Sequence, residues 1–207
     1  MIREIILASG SPRRRDLLAE AGVRFQVFQV NADESLTEEE TADPALAAET
    51  LAERKAAAAV QAVLATPQLG EVTTIGADTM VVLDGKIYGK PRSAEVARAT
   101  LRALSGKTHE VITGVSVWRL LYGGPDDVKI GRRNFHVVSK VTFKNLTDDE
   151  IADYVRTGES RDKAGAYGIQ GAGAALVASY EGDYDNIVGL PVSKLLELFP
   201  DLLAEQA

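Results

Sequence analysis

The sequence predicts an α/β fold: a mixed, twisted, elongated sheet flanked by helices. Three observations carry this. Stretches rich in β-branched residues at 2–8, 73–83, 110–119 and 135–143 alternate with helical patterns bounded by capping residues. Asp84-Gly85 is a strong hairpin turn, so Lys86-Ile87-Tyr88 should pair back on the strand before it, and the turn at 123–127 joins two further strands as an antiparallel meander. With 207 residues, 45% of them hydrophobic, the chain can bury a sizeable core as one domain over 1–207, or as two small lobes.

Composition excludes several classes of function. There is no cysteine, so thiolate chemistry and cysteine zinc sites are absent, and only His109 and His136 supply imidazole. A metal, if used, should therefore be a hard ion held by carboxylates. No apolar run approaches a membrane span, and Ile5-Ile6-Leu7-Ala8 is too short for a signal-peptide core, so neither a membrane nor export is expected. The net charge of −7 and the absence of a long basic run argue against nucleic acid as the partner.

In chain order, the first strand runs directly into Ser9-Gly10-Ser11-Pro12-Arg13-Arg14-Arg15. Ser11 as N-cap, Pro12 at the first helical position and Gly22 beyond the last turn delimit a short helix. Three arginines at the positive end of a helix dipole make sense if an anion sits among them, the free amides and the hydroxyls of Ser9 and Ser11. The alternative is a solvated face paired with Asp16 and Glu20.

A short strand at 25–30 leads into an acidic loop from Asn31 to Asp43, holding Glu34. Asp43-Pro44 then opens an alanine-rich helix to about Thr66. There Lys55 falls on the stripe of Ala47, Leu51, Ala58 and Ala62, where it either snorkels outward or reaches a buried anion.

The next strand carries Asp78 in its middle, beside the small residues Gly76 and Ala77. An ionised carboxylate there needs a cation or a local turn to satisfy it. Lys90, at the end of the return strand, is placed to be that cation. Ser93 caps a helix to about Leu104, and Thr147-Asp148-Asp149-Glu150 is a capping box for another to about Thr157.

Residues 158–173 interleave glycines with Asp162, Lys163, Tyr167 and Gln170. The pattern suits either a flexible surface loop or a backbone closing on a ligand, with an aromatic ring and an amide to hold a base. A strand at 174–178, a polar turn at 182–186 and a helix from Pro191 to about Leu203 follow. Ser105-Gly106-Lys107-Thr108 resembles a P-loop end, but Leu101 stands where its first glycine belongs, and a strand follows instead of a helix.

Five segments together resemble the Maf-like nucleoside triphosphate pyrophosphatases: Ala8 to Arg14, Gly76 to Thr79, Lys90-Pro91, Asp162 to Gly171 and Val188 to Pro191. The resemblance implies a two-lobed, inosine triphosphate pyrophosphatase-like fold with the active site in a cleft. It also implies a cytoplasmic, commonly dimeric hydrolase that cuts nucleoside triphosphates between the α and β phosphorus atoms with a divalent cation. By position Asp78 matches the family's catalytic aspartate. Glu34, Lys55 and Lys90 match its other acidic and lysine active-site residues, and Arg13, Thr79 and Gln170 match positions that set base selectivity. The Ala166-Tyr167-Gly168-Ile169-Gln170 form looks like the branch acting on dTTP and UTP.

The expected arrangement follows from both lines of reading. Asp78, Glu34, Lys55 and Lys90 would be catalytic, with Asp78 and Glu34 holding Mg²⁺ or Mn²⁺. Ser9, Ser11, Arg13, Arg14, Thr79, Lys163 and Gln170 would bind the substrate. The expected partners are a nucleoside triphosphate and, as a homodimer, a second copy of the chain. The alternative from another class is a non-hydrolysing, nucleotide-binding regulatory protein linked to cell division.

Overall fold

The computed structural model describes residues 3–66, 70–124 and 127–204. Its strands are β1 (Arg3–Ala8), β2 (Gln26–Val27), β3 (Gly70–Leu83), β4 (Lys86–Tyr88), β5 (Thr108–Gly124), β6 (Asp127–Phe143) and β7 (Val177–Glu181). The helices are α1 (Pro12–Glu20), α2 (Glu38–Thr41), α3 (Pro44–Leu64), α4 (Ala94–Leu104), α5 (Asp148–Arg156), α6 (Tyr184–Val188) and α7 (Val192–Leu198). One mixed sheet has the order β2-β1-β3-β5-β6-β7, with β4 on β3. β1 pairs in parallel with β2 and β3, whereas β3–β4 and β6–β7 are antiparallel.

The chain divides into two compact units, one of Met1–Asp78, Thr113–Val137 and Gly189–Ala207, the other of Thr79–Ile112 and Val138–Val188. Strand periodicity organises the first unit. Ile5, Leu7, Ile75, Ala77, Val115 and Val117 share one core with Leu18 of α1 and Leu195 of α7. Their neighbours point the other way. A Cβ on Gly76 would lie 2.2 Å from the Ala52 carbonyl oxygen, and one on Gly114 would lie 2.4 Å from the Ala48 carbonyl oxygen, so α3 rests on that face at backbone-to-backbone distance. Only a helix lined with alanine, facing strands with glycine, can come so close. Val60 and Val63 continue that contact onto Val72 and Leu120.

In the second unit α4 buries Ala97, Leu101 and Leu104, while α5 buries Ile151, Tyr154 and Val155. Thr147 and Glu150 form the expected capping box, and Arg102 donates to the Leu146 carbonyl at 2.9 Å beside it.

Several boundaries depart from the sequence reading. β2 keeps only two residues, and both are exposed. β5 and β6 run well beyond the expected strands, although the turn residues 125–126 between them, like Ile2 of the first strand, lie outside the described residues. The strand expected at 174–178 starts at Val177, because Gly171–Leu176 is a 3-10 turn. The polar turn at 182–186 contains a helix start, and the last helix breaks at Phe199 into a 3-10 turn. Inside the acidic loop Thr37 and Glu40 build a second capping box, which orders α2.

Candidate active site

In the first unit the site grows from the close approach of α3 to β3. Residues 71–77 are buried without interruption, and Asp78, next on the face that carries Gly76, is partly exposed. With α3 against Gly76, Lys55 reaches across. Its ammonium lies 2.6 Å from Asp78 Oδ1 and 2.8 Å from Glu34 Oε1, with side-chain exposures of 12% for Lys55, 13% for Asp78 and 47% for Glu34. Of the two readings open for Lys55, the structure shows the buried anion. The stripe differs from the expected one: Ala47 and Leu51 are buried, but the apolar face continues through Ala52, Ala56, Ala59 and Val60, leaving Ala58 and Ala62 half-buried with Lys55 at its margin.

Glu34 is placed by its neighbours. Ser35 N–H donates to Asp33 Oδ1 at 2.9 Å, and Arg54 donates to the Ser35 carbonyl at 2.5 Å and to Glu40 Oε1 at 2.6 Å, lashing the acidic segment to α3. Arg54 carries no signal of this in the sequence. Its partners are 14 to 21 residues away, so no helical spacing could reveal them.

The arginine cluster separates into different roles. Arg15 pairs with Asp16 at 2.8 Å in the open, as a solvated face would. Arg14 turns inward, donating from Nε to the Gly189 carbonyl at 2.7 Å and from Nη1 to Ser9 Oγ at 3.4 Å. Burial holds its guanidinium below the ordinary arginine range; the Asp78 charge opposes that shift, Arg13 adds to it and Glu34 opposes it. Ser11 has the extended backbone of an N-cap but makes no side-chain cap; instead its N–H donates to Ser9 Oγ at 3.2 Å. The first-turn amides of α1 thus start beside Ser9 and Arg14, with no acidic residue in that turn. Gly189, at φ 135°, supplies the carbonyl that holds Arg14.

The remaining candidates belong to the second unit. Thr79 follows Asp78 on β3, partly exposed. The β3–β4 ladder ends at the Val81–Tyr88 pair, and Lys90 stands exposed two residues beyond it. Lys163 Nζ donates to the Glu159 carbonyl at 2.7 Å and to Asp162 Oδ1 at 2.9 Å, so it ties its own segment together. Gln170 is exposed, at the start of the 3-10 turn 171–176. The stretch 158–173 is not an open loop: it folds as successive 3-10 turns, with Ser160, Gly165, Ala166 and Gly173 buried. Tyr167 cannot stack on a base as expected. It is 5% exposed, packed edge-on against Phe143, and its hydroxyl lies 2.7 Å from His109 Nε2.

The chemistry available in the first unit is that of a hard-anion site. Two carboxylates converge on one ammonium while a guanidinium and a helix start wait beside them. Among the described residues no group of three or more histidines and carboxylates could hold a metal ion. No helix among the described residues is long and apolar enough to cross a membrane.

Comparison with known proteins agrees on one relationship. A dTTP/UTP pyrophosphatase of Clostridioides difficile (strain 630) is 46% identical over 194 residues, 94% of this chain and 92% of that protein. One from Moorella thermoacetica is also 46% identical, over 94% of this chain and 93% of its own. One from Geobacillus sp. (strain WCH70) is 45% identical over 93% and 95%. The family model described as "Maf-like protein" matches residues 4–202, and with identity at this level over nearly the whole length, the chain belongs to the Maf-like protein family.

Proposed function

We propose that this chain is a nucleoside triphosphate pyrophosphatase acting on dTTP and UTP, with modified pyrimidine nucleotides as a further substrate class. The names of its relatives support the reaction. The observation that carries it is the Lys55 ammonium shared by Asp78 and Glu34. A lysine and two acids so placed can hold a polyphosphate's counter-charge and a water together.

In this reading Arg13, Arg14, Ser9, Ser11 and the first-turn amides of α1 hold phosphate oxygens, and Lys163 is a further substrate-binding residue. Asp78, its Oδ1 fixed by Lys55, orients the attacking water and accepts its proton. The water oxygen bonds to the α phosphorus, the bond from that phosphorus to the α-β bridging oxygen breaks, and pyrophosphate leaves with the electron pair. Lys55 and Lys90 balance the charge that develops on the bridging and leaving oxygens. Asp78 and Glu34 would be the residues to hold a hard divalent cation, Mg²⁺ or Mn²⁺. When bound, such a cation supplies charge neutralisation and a more acidic water. Thr79 and Gln170 read the pyrimidine edge, since an amide hydrogen-bonded to the correct base is left unpaired by the wrong one. We place the enzyme in the cytoplasm as a homodimer.

The test is pyrophosphate release from dTTP, UTP, CTP and GTP with Mg²⁺ or Mn²⁺, run beside Asp78→Asn. Leading rates on dTTP and UTP, and a variant slowed by about 10²-fold or more, are expected. Nucleotide binding without hydrolysis would overturn the reading and leave the regulatory alternative.

A further inference from the structure

Side chains of its own unit pin the glycine-rich stretch around Gln170 at several points. The Tyr167 hydroxyl meets His109 Nε2 at 2.7 Å, with His109 only 2% exposed. The Tyr154 hydroxyl accepts the Gly168 N–H at 3.3 Å, and Glu159 accepts the N–H groups of Ala172 and Gly173 at 3.1 and 3.4 Å. The backbone between these pins is strained and crowded. Ala166 is fully buried at φ 61°, a left-handed conformation that a residue with a Cβ keeps only when its surroundings impose it. A Cβ on Gly165 would lie 2.7 Å from Val81, and one on Gly173 would lie 2.0 Å from the Gly168 carbonyl. Gly165 N–H also donates to the Gly89 carbonyl at 3.3 Å, one residue before Lys90. Gln170 lies exposed between Gly168 and Ala172, so its backbone is set by anchors on both sides.

At the root of this construction is a histidine whose burial is costly. His109 stacks edge-on with Phe143 and Tyr167, and its Nδ1 is buried with no hydrogen-bond partner among the described residues. An apolar residue would fill the same space without desolvating an imidazole. What it could not do is satisfy the Tyr167 hydroxyl. We propose that His109 is a positioning residue for base selection: through the Tyr167 hydroxyl it fixes the segment that presents Gln170. The proposal rests on the reading of Gln170 as the base-reading amide.

The experiment measures kcat and KM for dTTP, UTP, CTP and GTP in the wild type, Tyr167→Phe, His109→Leu, His109→Gln and Gln170→Ala, with folding checked by thermal melting. Tyr167→Phe and His109→Leu should raise KM for dTTP and UTP by about threefold or more, with kcat changing less, and so narrow the preference over CTP and GTP. His109→Gln, whose amide can reach the hydroxyl, should restore most of that preference. A purely structural role would lower the melting temperature without moving the KM ratio. If His109→Leu does not fold, Tyr167→Phe, which deletes one oxygen, carries the test. A folded Tyr167→Phe with wild-type selectivity, beside a Gln170→Ala that has lost it, overturns the role of His109 alone. An indifferent Gln170→Ala overturns the base-reading assignment and this proposal with it.

Discussion

At Lys55 one ammonium answers to two carboxylates, and the two are not equivalent: Asp78 is nearly enclosed while Glu34 is half open to solvent. Removing the lysine therefore harms mainly Asp78. Lys55→Met should destabilise the fold by about 3 kcal/mol, because it leaves a largely buried charge without its partner. Asp78→Asn keeps the shape, and Lys55 keeps Glu34, so stability should change little while turnover collapses. Paired denaturant titrations and rate measurements separate the two outcomes; equal destabilisation by both would mean that the pair is structural. Much of this cluster was legible beforehand. A carboxylate between small residues in a strand, and a lysine on an alanine stripe, are each anomalies that ask for a partner. What the sequence did not show was that they are each other's partner, or that Arg14 would lean on the carbonyl of Gly189, 175 residues away.

The element that makes the Lys55 contact possible is α3, seated on β3 and β5 at distances that only glycine permits. Gly76→Ala would place a methyl group against the Ala52 carbonyl and the Ala56 N–H, with helix backbone on one side and strand on the other. Relief requires the helix to lift, which should cost about 1–3 kcal/mol and carry Lys55 away from Asp78. Lower stability with a loss of activity is expected, whereas Gly85→Ala, whose Cβ would meet nothing within 4 Å, should cost only the strain of its φ of 75°. Helices with caps at both ends were read nearly to the residue, because their signals are local. The glycine-rich stretch was not. Its glycines suit a flexible loop or a backbone closing on a ligand, not the packed 3-10 turns that form, and Tyr167 reads as a ligand contact because nothing local marks an aromatic residue as core. That depends on His109 and Phe143, brought in by separate strands. β2 shrank for a related reason: its register with β1 covers Gln26 and Val27, and Phe28 adds one N–H to the Leu7 carbonyl.

For the molecule as a whole, the buried imidazole makes stability depend on pH. Burial pushes the His109 pKa down from 6.5 to about 4. Between those values the unfolded chain binds a proton that the native state refuses, so stability falls as pH falls through this window. The full span amounts to about 3 kcal/mol. Urea midpoints measured from pH 7 to 4 should show this slope in the wild type and a shallower one in His109→Gln. Equal slopes would mean that His109 is more open to solvent than the structure shows.

The two compact units have a consequence for how the protein comes into being. The first is assembled from three separated lengths of chain, and its core closes with Leu190, Val192, Leu195, Phe199 and Leu202. On the ribosome, β1, α1 and most of β3 emerge with their apolar faces uncovered, and the residues that seal them are translated only after the whole second unit. The second unit, ending at Val188, is fully synthesised before the first can finish. Its folding is thus free to precede that of the segment made first, inverting the usual N-to-C order of domain maturation. A nascent chain stalled after Val188 would expose Ile5, Leu7 and Ile75 to whatever binds apolar surface in the cell.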